Sequence, residues 1–70
     1  MSNLASTIKG LRREQKLTQK ELATLVGCTK LTISRYECGT RIPSLEMLER
    51  LAAVFGLSIG ELIDKHKREH

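Results

Sequence analysis

Beyond its carboxylates and lysines, the side chains of this 70-residue chain that could act as nucleophiles or metal ligands are Cys28, Cys38, His66, His70 and the hydroxyls, and their spacing supports neither chemistry. Nine residues separate the two cysteines, against the two to four typical of a metal-binding pair. Two cysteines are too few for a disulfide framework, so both are read as free thiols. His66 and His70, at i and i+4, have no further ligand nearby. No carboxylate is placed to orient a histidine beside Ser34, so a nucleophile with its base is not expected. No enzyme activity, cofactor, metal or small-molecule ligand is therefore expected. What remains is a set of cations and hydrogen-bonding groups at helical spacing. At about 100° per residue, Lys30, Leu31, Ser34 and Arg35 share one side of a helix, while Ile33 and Tyr36 fall on the other. An outward face carrying Lys30, Ser34 and Arg35 suits the major groove of a nucleic-acid duplex, where guanine O6 and N7 accept hydrogen bonds from Arg or Lys.

Charge agrees with that chemistry. Residues 1–41 hold eight Lys and Arg against three Glu, and residues 42–70 hold four against five Asp and Glu, so the chain's net charge of +4 belongs to its first half. Such asymmetry is expected when one face meets a polyanion. With Tyr36 and Phe55 as the only aromatics, the chain lacks the stacking platforms that single strands require, which favours duplex. The longest apolar run, Leu51 to Phe55, is far short of the ~20 residues that span a bilayer. The N-terminus has neither a basic n-region nor an apolar h-region. A cytoplasmic protein without a membrane partner is expected.

Helical periodicity and capping residues predict an all-α fold, a compact bundle of five helices in one domain over residues 1–70. Leu4, Ile8 and Leu11 define the first helix, running to about Lys16, and Gly10 within it is expected to face a neighbour too close for a side chain. Thr18 and Glu21 form a capping box, flanked by a Leu17–Leu22 staple, for a second helix that buries Leu22, Ala23 and Val26 and stops at Gly27. Thr29 caps the third helix, which ends at Gly39; Thr40-Arg41-Ile42-Pro43 follows as a loop. Ser44 caps the fourth, whose apolar stripe is Leu45, Leu48, Leu51, Ala52 and Phe55 and whose end is Gly56. Ser58 and Glu61, with Leu57 and Leu62, start the fifth, which fades into a frayed basic tail from about residue 65. Only Gly27 and Cys28 separate the second helix from the Thr29 cap, which is the signature of a helix-turn-helix.

At this point the chain closely resembles the Cro/C1-type, phage repressor-like helix-turn-helix regulators. The resemblance covers about Ile8 to Leu62. It rests on Leu17-Thr18-Gln19-Lys20-Glu21-Leu22-Ala23, Val26-Gly27-Cys28-Thr29, Thr32-Ile33-Ser34-Arg35-Tyr36-Glu37-Cys38-Gly39, Ile42-Pro43-Ser44-Leu45, Leu48, Leu51-Ala52 and Phe55-Gly56-Leu57-Ser58. It implies a lambda-repressor-like bundle whose third helix reads bases through Lys30, Leu31, Ser34 and Arg35. It implies backbone contacts from Gln19, Thr29, Thr32, Thr40 and Arg41, and an Arg12–Glu37 pair bracing the first helix against the third. Leu31 stands where many relatives carry a polar base reader, and Cys38 replaces the Asn, Lys or Arg common before this glycine.

A sequence-specific regulator of transcription is the expected function, occupying a near-palindromic operator as a homodimer. One helix in one groove reads too few base pairs to find a single site among roughly 10⁶ or more competitors. Ile59, Leu62 and Ile63 of the fifth helix are the expected dimer face. Two alternatives stand beside this reading. One is a protein-interaction module, an antitoxin or an antagonist of another regulator, which a neutral or acidic third-helix face would mark. The other is the DNA-binding fragment of a longer regulator, although Met1 and the polar tail read as the ends of a complete small protein.

Overall fold

Four hydroxyls start four of the helices. In the computed structural model, which describes residues 4–67 and their side chains as far as Ile63, the helices are α1 (Leu4–Glu14), α2 (Gln19–Val26), α3 (Lys30–Cys38), α4 (Leu45–Val54) and α5 (Ile59–Lys67). Thr18, Thr29, Ser44 and Ser58 accept the N–H of Glu21, Thr32, Met47 and Glu61 at 3.0, 3.2, 3.1 and 3.1 Å. Glu21 and Glu61 return the contact, each accepting the N–H of its capping residue at 2.8 Å. Each such cap satisfies a donor that the helix itself leaves without a partner, and is worth about 1 kcal/mol.

The helix ends are equally local in origin. Lys16, Gly27, Gly39 and Gly56 all adopt left-handed backbone, with φ of 58°, 79°, 78° and 72°. The N–H of the next residue then turns back on the helix: Leu17 to the Arg12 carbonyl, Cys28 to Ala23, Thr40 to Arg35 and Leu57 to Ala52, at 3.1, 2.9, 3.0 and 2.8 Å. Three of these positions are glycine. Lys16 carries a Cβ into the same conformation, at a steric cost that glycine avoids.

Short connections fold the five helices around one core of Ile8, Leu11, Leu22, Ala23, Val26, Ile33, Tyr36, Leu51, Ala52, Phe55 and Leu62. α2 packs on α3, α1 crosses behind α3, α4 supports α2, and α5 closes the bundle against α1 and α4. Among the described residues no helix is long and apolar enough to cross a membrane.

Three expectations are corrected. Gly10 has no close neighbour: a Cβ added there meets nothing within 4 Å, because α1 buries Thr7, Ile8, Leu11 and Arg12 and turns Gly10 to solvent. Leu45 is 67% exposed rather than part of the α4 stripe, since it lies at the first residue of the helix, beyond the core's edge, while Pro43 beside it is buried. Leu62, expected at a dimer face, is fully enclosed in the core by the packing of α5 against α1 and α4, and is not available to a partner. The side chains of the tail from residue 65, and with them the His66–His70 pair, lie outside the described residues.

Candidate nucleic-acid interface

The candidate interface is built on the α2–α3 pair. Gly27 takes the left-handed turn that stops α2, and Thr29 restarts the chain as α3 two residues later. The Thr29 hydroxyl, besides accepting the Thr32 N–H, shares a hydrogen bond with the Thr32 hydroxyl at 3.0 Å. α3 buries Ile33 and Tyr36 against the core, which leaves Lys30, Leu31 and Arg35 exposed and Ser34 half-buried. Leu31 is 57% exposed. A leucine this open is free to meet an apolar group, such as the methyl that thymine presents in the major groove. Thr40 and Arg41, exposed beyond the end of α3, direct their N–H groups at the Arg35 carbonyl, and the Thr40 hydroxyl donates to the same oxygen at 3.3 Å.

Behind this face lies a charged network. Arg12 meets Glu37 through two hydrogen bonds, Nε to Oε2 at 2.7 Å and Nη2 to Oε1 at 3.1 Å, and its Nη1 donates to the Leu17 carbonyl at 2.7 Å. The side chains are 10% and 3% exposed. The hydrogen bond to Glu37 raises the Arg12 guanidinium above its ordinary pKa; burial acts in the opposite sense, and the Glu37 charge adds to the rise. Gln19 joins the network, its Nε2 donating to Glu37 Oε1 at 3.1 Å. One buried carboxylate thus ties α1, the α1–α2 connection, the start of α2 and the end of α3.

Two contacts have little sequence signal. The Gln19–Glu37 bond joins residues 18 apart in the chain and is invisible to helical spacing. Arg50 of α4 donates through Nη1 to the Val26 carbonyl at 3.2 Å and through Nη2 to Glu46 at 2.8 Å. Only the second of these, at i and i+4, was open to a reading by spacing.

Burial pushes the Cys28 thiol up, so it stays protonated at neutral pH, while Cys38 is exposed at the end of α3. Among the described residues, no group of three or more His, Cys, Asp and Glu could hold a metal ion.

Residues 8–62 match the helix-turn-helix family. The chain belongs to that family, in its Cro/C1-type branch. Of the helix-turn-helix relatives, the cryptic phage CTXphi transcriptional repressor RstR of Vibrio cholerae is 44% identical over 59 residues, covering 84% of this chain and 53% of RstR. The chain spans 38% to 53% of the length of the first curated relatives it matches. The P22 c2 repressor bound to synthetic operator 9T superposes with a TM-score of 0.79 at 27% identity, covering 84% of this chain and 89% of that one. The N-terminal DNA-binding domain of SinR from Bacillus subtilis gives a TM-score of 0.80 at 32% identity, with 89% and 91% covered. The described residues form five helices and no strand, in the fold of these helix-turn-helix DNA-binding domains.

Proposed function

We propose that this chain is a sequence-specific duplex-DNA-binding regulator of transcription. It occupies a near-palindromic operator as a pair of copies and represses or activates according to where that operator lies. The observation that carries this reading is the outward face of α3, Lys30, Leu31, Ser34 and Arg35, presented by a helix-turn-helix whose far side is anchored to α1. Arg35 and Lys30 supply donors for base edges, and Ser34 serves either a base or a sugar-phosphate oxygen. Arg41 and Thr40 flank the end of α3, and Gln19 the start of α2, where they fix register on the phosphates. The relative RstR is a transcriptional repressor and the P22 c2 repressor is seen on an operator, both consistent with this role. A protein-interaction module is the weaker reading, because the exposed α3 face carries Lys30 and Arg35 rather than neutral or acidic groups.

Selection of bound sequences from a random duplex pool, at stated salt, tests the proposal. The expected result is a single enriched motif with two-fold symmetry. Recovery of no motif above the starting pool would remove the function proposed.

A further inference from the structure

We propose that Arg50, which lies outside the helix-turn-helix, is a positioning residue that fixes the closed end of the α2–α3 pair and so sets how α3 meets DNA. The inference rests on the DNA-binding reading for its consequence, but not for its geometry. A helix C-terminus leaves its last carbonyls without partners and carries partial negative charge. At the end of α2 the Ala23 carbonyl takes the N–H groups of both Gly27 and Cys28 at 2.9 Å. The Val26 carbonyl takes Arg50 Nη1 at 3.2 Å. α2 has no basic residue in its own last turn, so a cation reaches its negative end from α4. Glu46, one turn before Arg50, holds Nη2 at 2.8 Å and aims the guanidinium. The guanidinium lies over the turn itself, since a Cβ on Gly27 would stand in van der Waals contact with Nη1, at 3.5 Å.

The pair is therefore tied at both ends. Gln19, Glu37 and Arg12 join the start of α2 to the end of α3, and Arg50 holds the end of α2 where the chain turns into α3. With only Gly27 and Cys28 before the Thr29 cap, a shift of the Val26 carbonyl passes to the first turn of α3, where Lys30 and Leu31 stand. Coupling of this kind travels through contiguous packed groups and needs no contact between Arg50 and DNA.

The test uses the full chain and the tightest duplex that the wild-type protein selects from a random pool. Arg50→Met keeps the apolar stem and removes the guanidinium. It is expected to weaken binding roughly threefold to thirtyfold, with base preference and the slope of log Kd against log salt unchanged, since no phosphate contact is lost. Arg50→Lys restores part of the affinity. In the free protein, amide exchange at Cys28 accelerates relative to Thr40, whose N–H makes the equivalent bond at the end of α3. A general loss of stability would speed both amides alike. Glu46→Gln gives a smaller effect in the same direction and keeps the test open if Arg50→Met fails to fold. Wild-type affinity in folded Arg50→Met, or equal acceleration at Cys28 and Thr40, overturns the proposal. So does a salt slope reduced by about one, which would place Arg50 on a phosphate. If the wild-type protein selects no duplex, the DNA-binding reading fails by itself, and amide exchange still decides the clamp.

Discussion

Arg12 and Glu37 show how much a single pair can contribute in a chain of this size. Removing one partner of a buried, hydrogen-bonded ion pair leaves the other charged and unsolvated, a loss of ~3 kcal/mol or more, which is a large part of the stability of a small domain. Glu37→Ala is expected to lower the melting temperature sharply, and at temperatures where it remains folded to keep its base preference. Charge reversal, Arg12→Glu with Glu37→Arg, should recover part of the loss; a double-mutant cycle showing no coupling rejects the brace. Because the folded pKa of Arg12 is raised, the arginine's contribution is complete at every pH below its unfolded value. It fades only as pH climbs through the folded value, in strong alkali. Two other residues are expected to act in the opposite sense. Gly10→Ala, in open space on α1, and Lys16→Gly, at a left-handed position, should each stabilise the protein by about 0.5–1 kcal/mol in chemical denaturation. A destabilised Gly10→Ala would mean that a neighbour occupies the space beside it.

At the scale of elements, the proposed function has α3 divide its labour between reading and holding. Arg35 faces outward from the middle of the helix, so Arg35→Ala is expected to cost ~1–3 kcal/mol of operator binding and to relax preference at one base position per half-site. Arg41, beyond the end of α3, should behave differently. Arg41→Ala is expected to weaken binding alike on all sequences and to lower the salt slope by about one, as loss of a phosphate contact does. Competition binding on single-base operator variants at several salt concentrations separates the two, and an unchanged base preference in Arg35→Ala would overturn the assignment of the reading face. The helices and their caps were legible in the sequence because their determinants are local: Thr18 with Glu21, Ser58 with Glu61, and the glycines after α2, α3 and α4 act within a few residues. The sharing of Glu37 between Arg12 and Gln19 was only half legible. The Arg12 contact was implied by resemblance, whereas the Gln19 bond depends on how α2 docks across α3. Periodicity also marks which face of a helix is apolar without showing which neighbour covers it. Leu45 was therefore expected inside and stands outside, and the reverse holds for Leu62.

For the whole molecule, the proposed function raises the question of how two copies would meet on DNA. Recognition helices entering successive major grooves on one face of a duplex lie about 34 Å apart, or roughly ten base pairs. The folded chain measures 27 × 24 × 23 Å, so two copies so placed come close enough to touch along the sides that face each other. With Leu62 enclosed, the large apolar side chains exposed outside α2 and α3 among the described residues are Ile63 at 38% exposure, with half-buried Ile59 on the same helix, and Ile42 and Leu45 at 80% and 67%. These side chains are few against the roughly 20–30 residues a side of a standard stable interface. The free protein is accordingly expected to sediment near its monomer mass of 7.9 kDa at micromolar concentration and to pair on the operator, where the neighbouring half-site supplies the effective concentration. Binding to two half-sites ten base pairs apart should be cooperative, and inserting five base pairs, which turns one site to the opposite face, should abolish the cooperativity. The double variant Ile42→Ser with Ile63→Ser, which leaves the charge unchanged, should bind a single half-site as the wild-type protein does and lose cooperativity on the pair. If it stays fully cooperative, the copies meet through another surface; if the wild-type protein fills two correctly spaced half-sites independently, they do not meet at all.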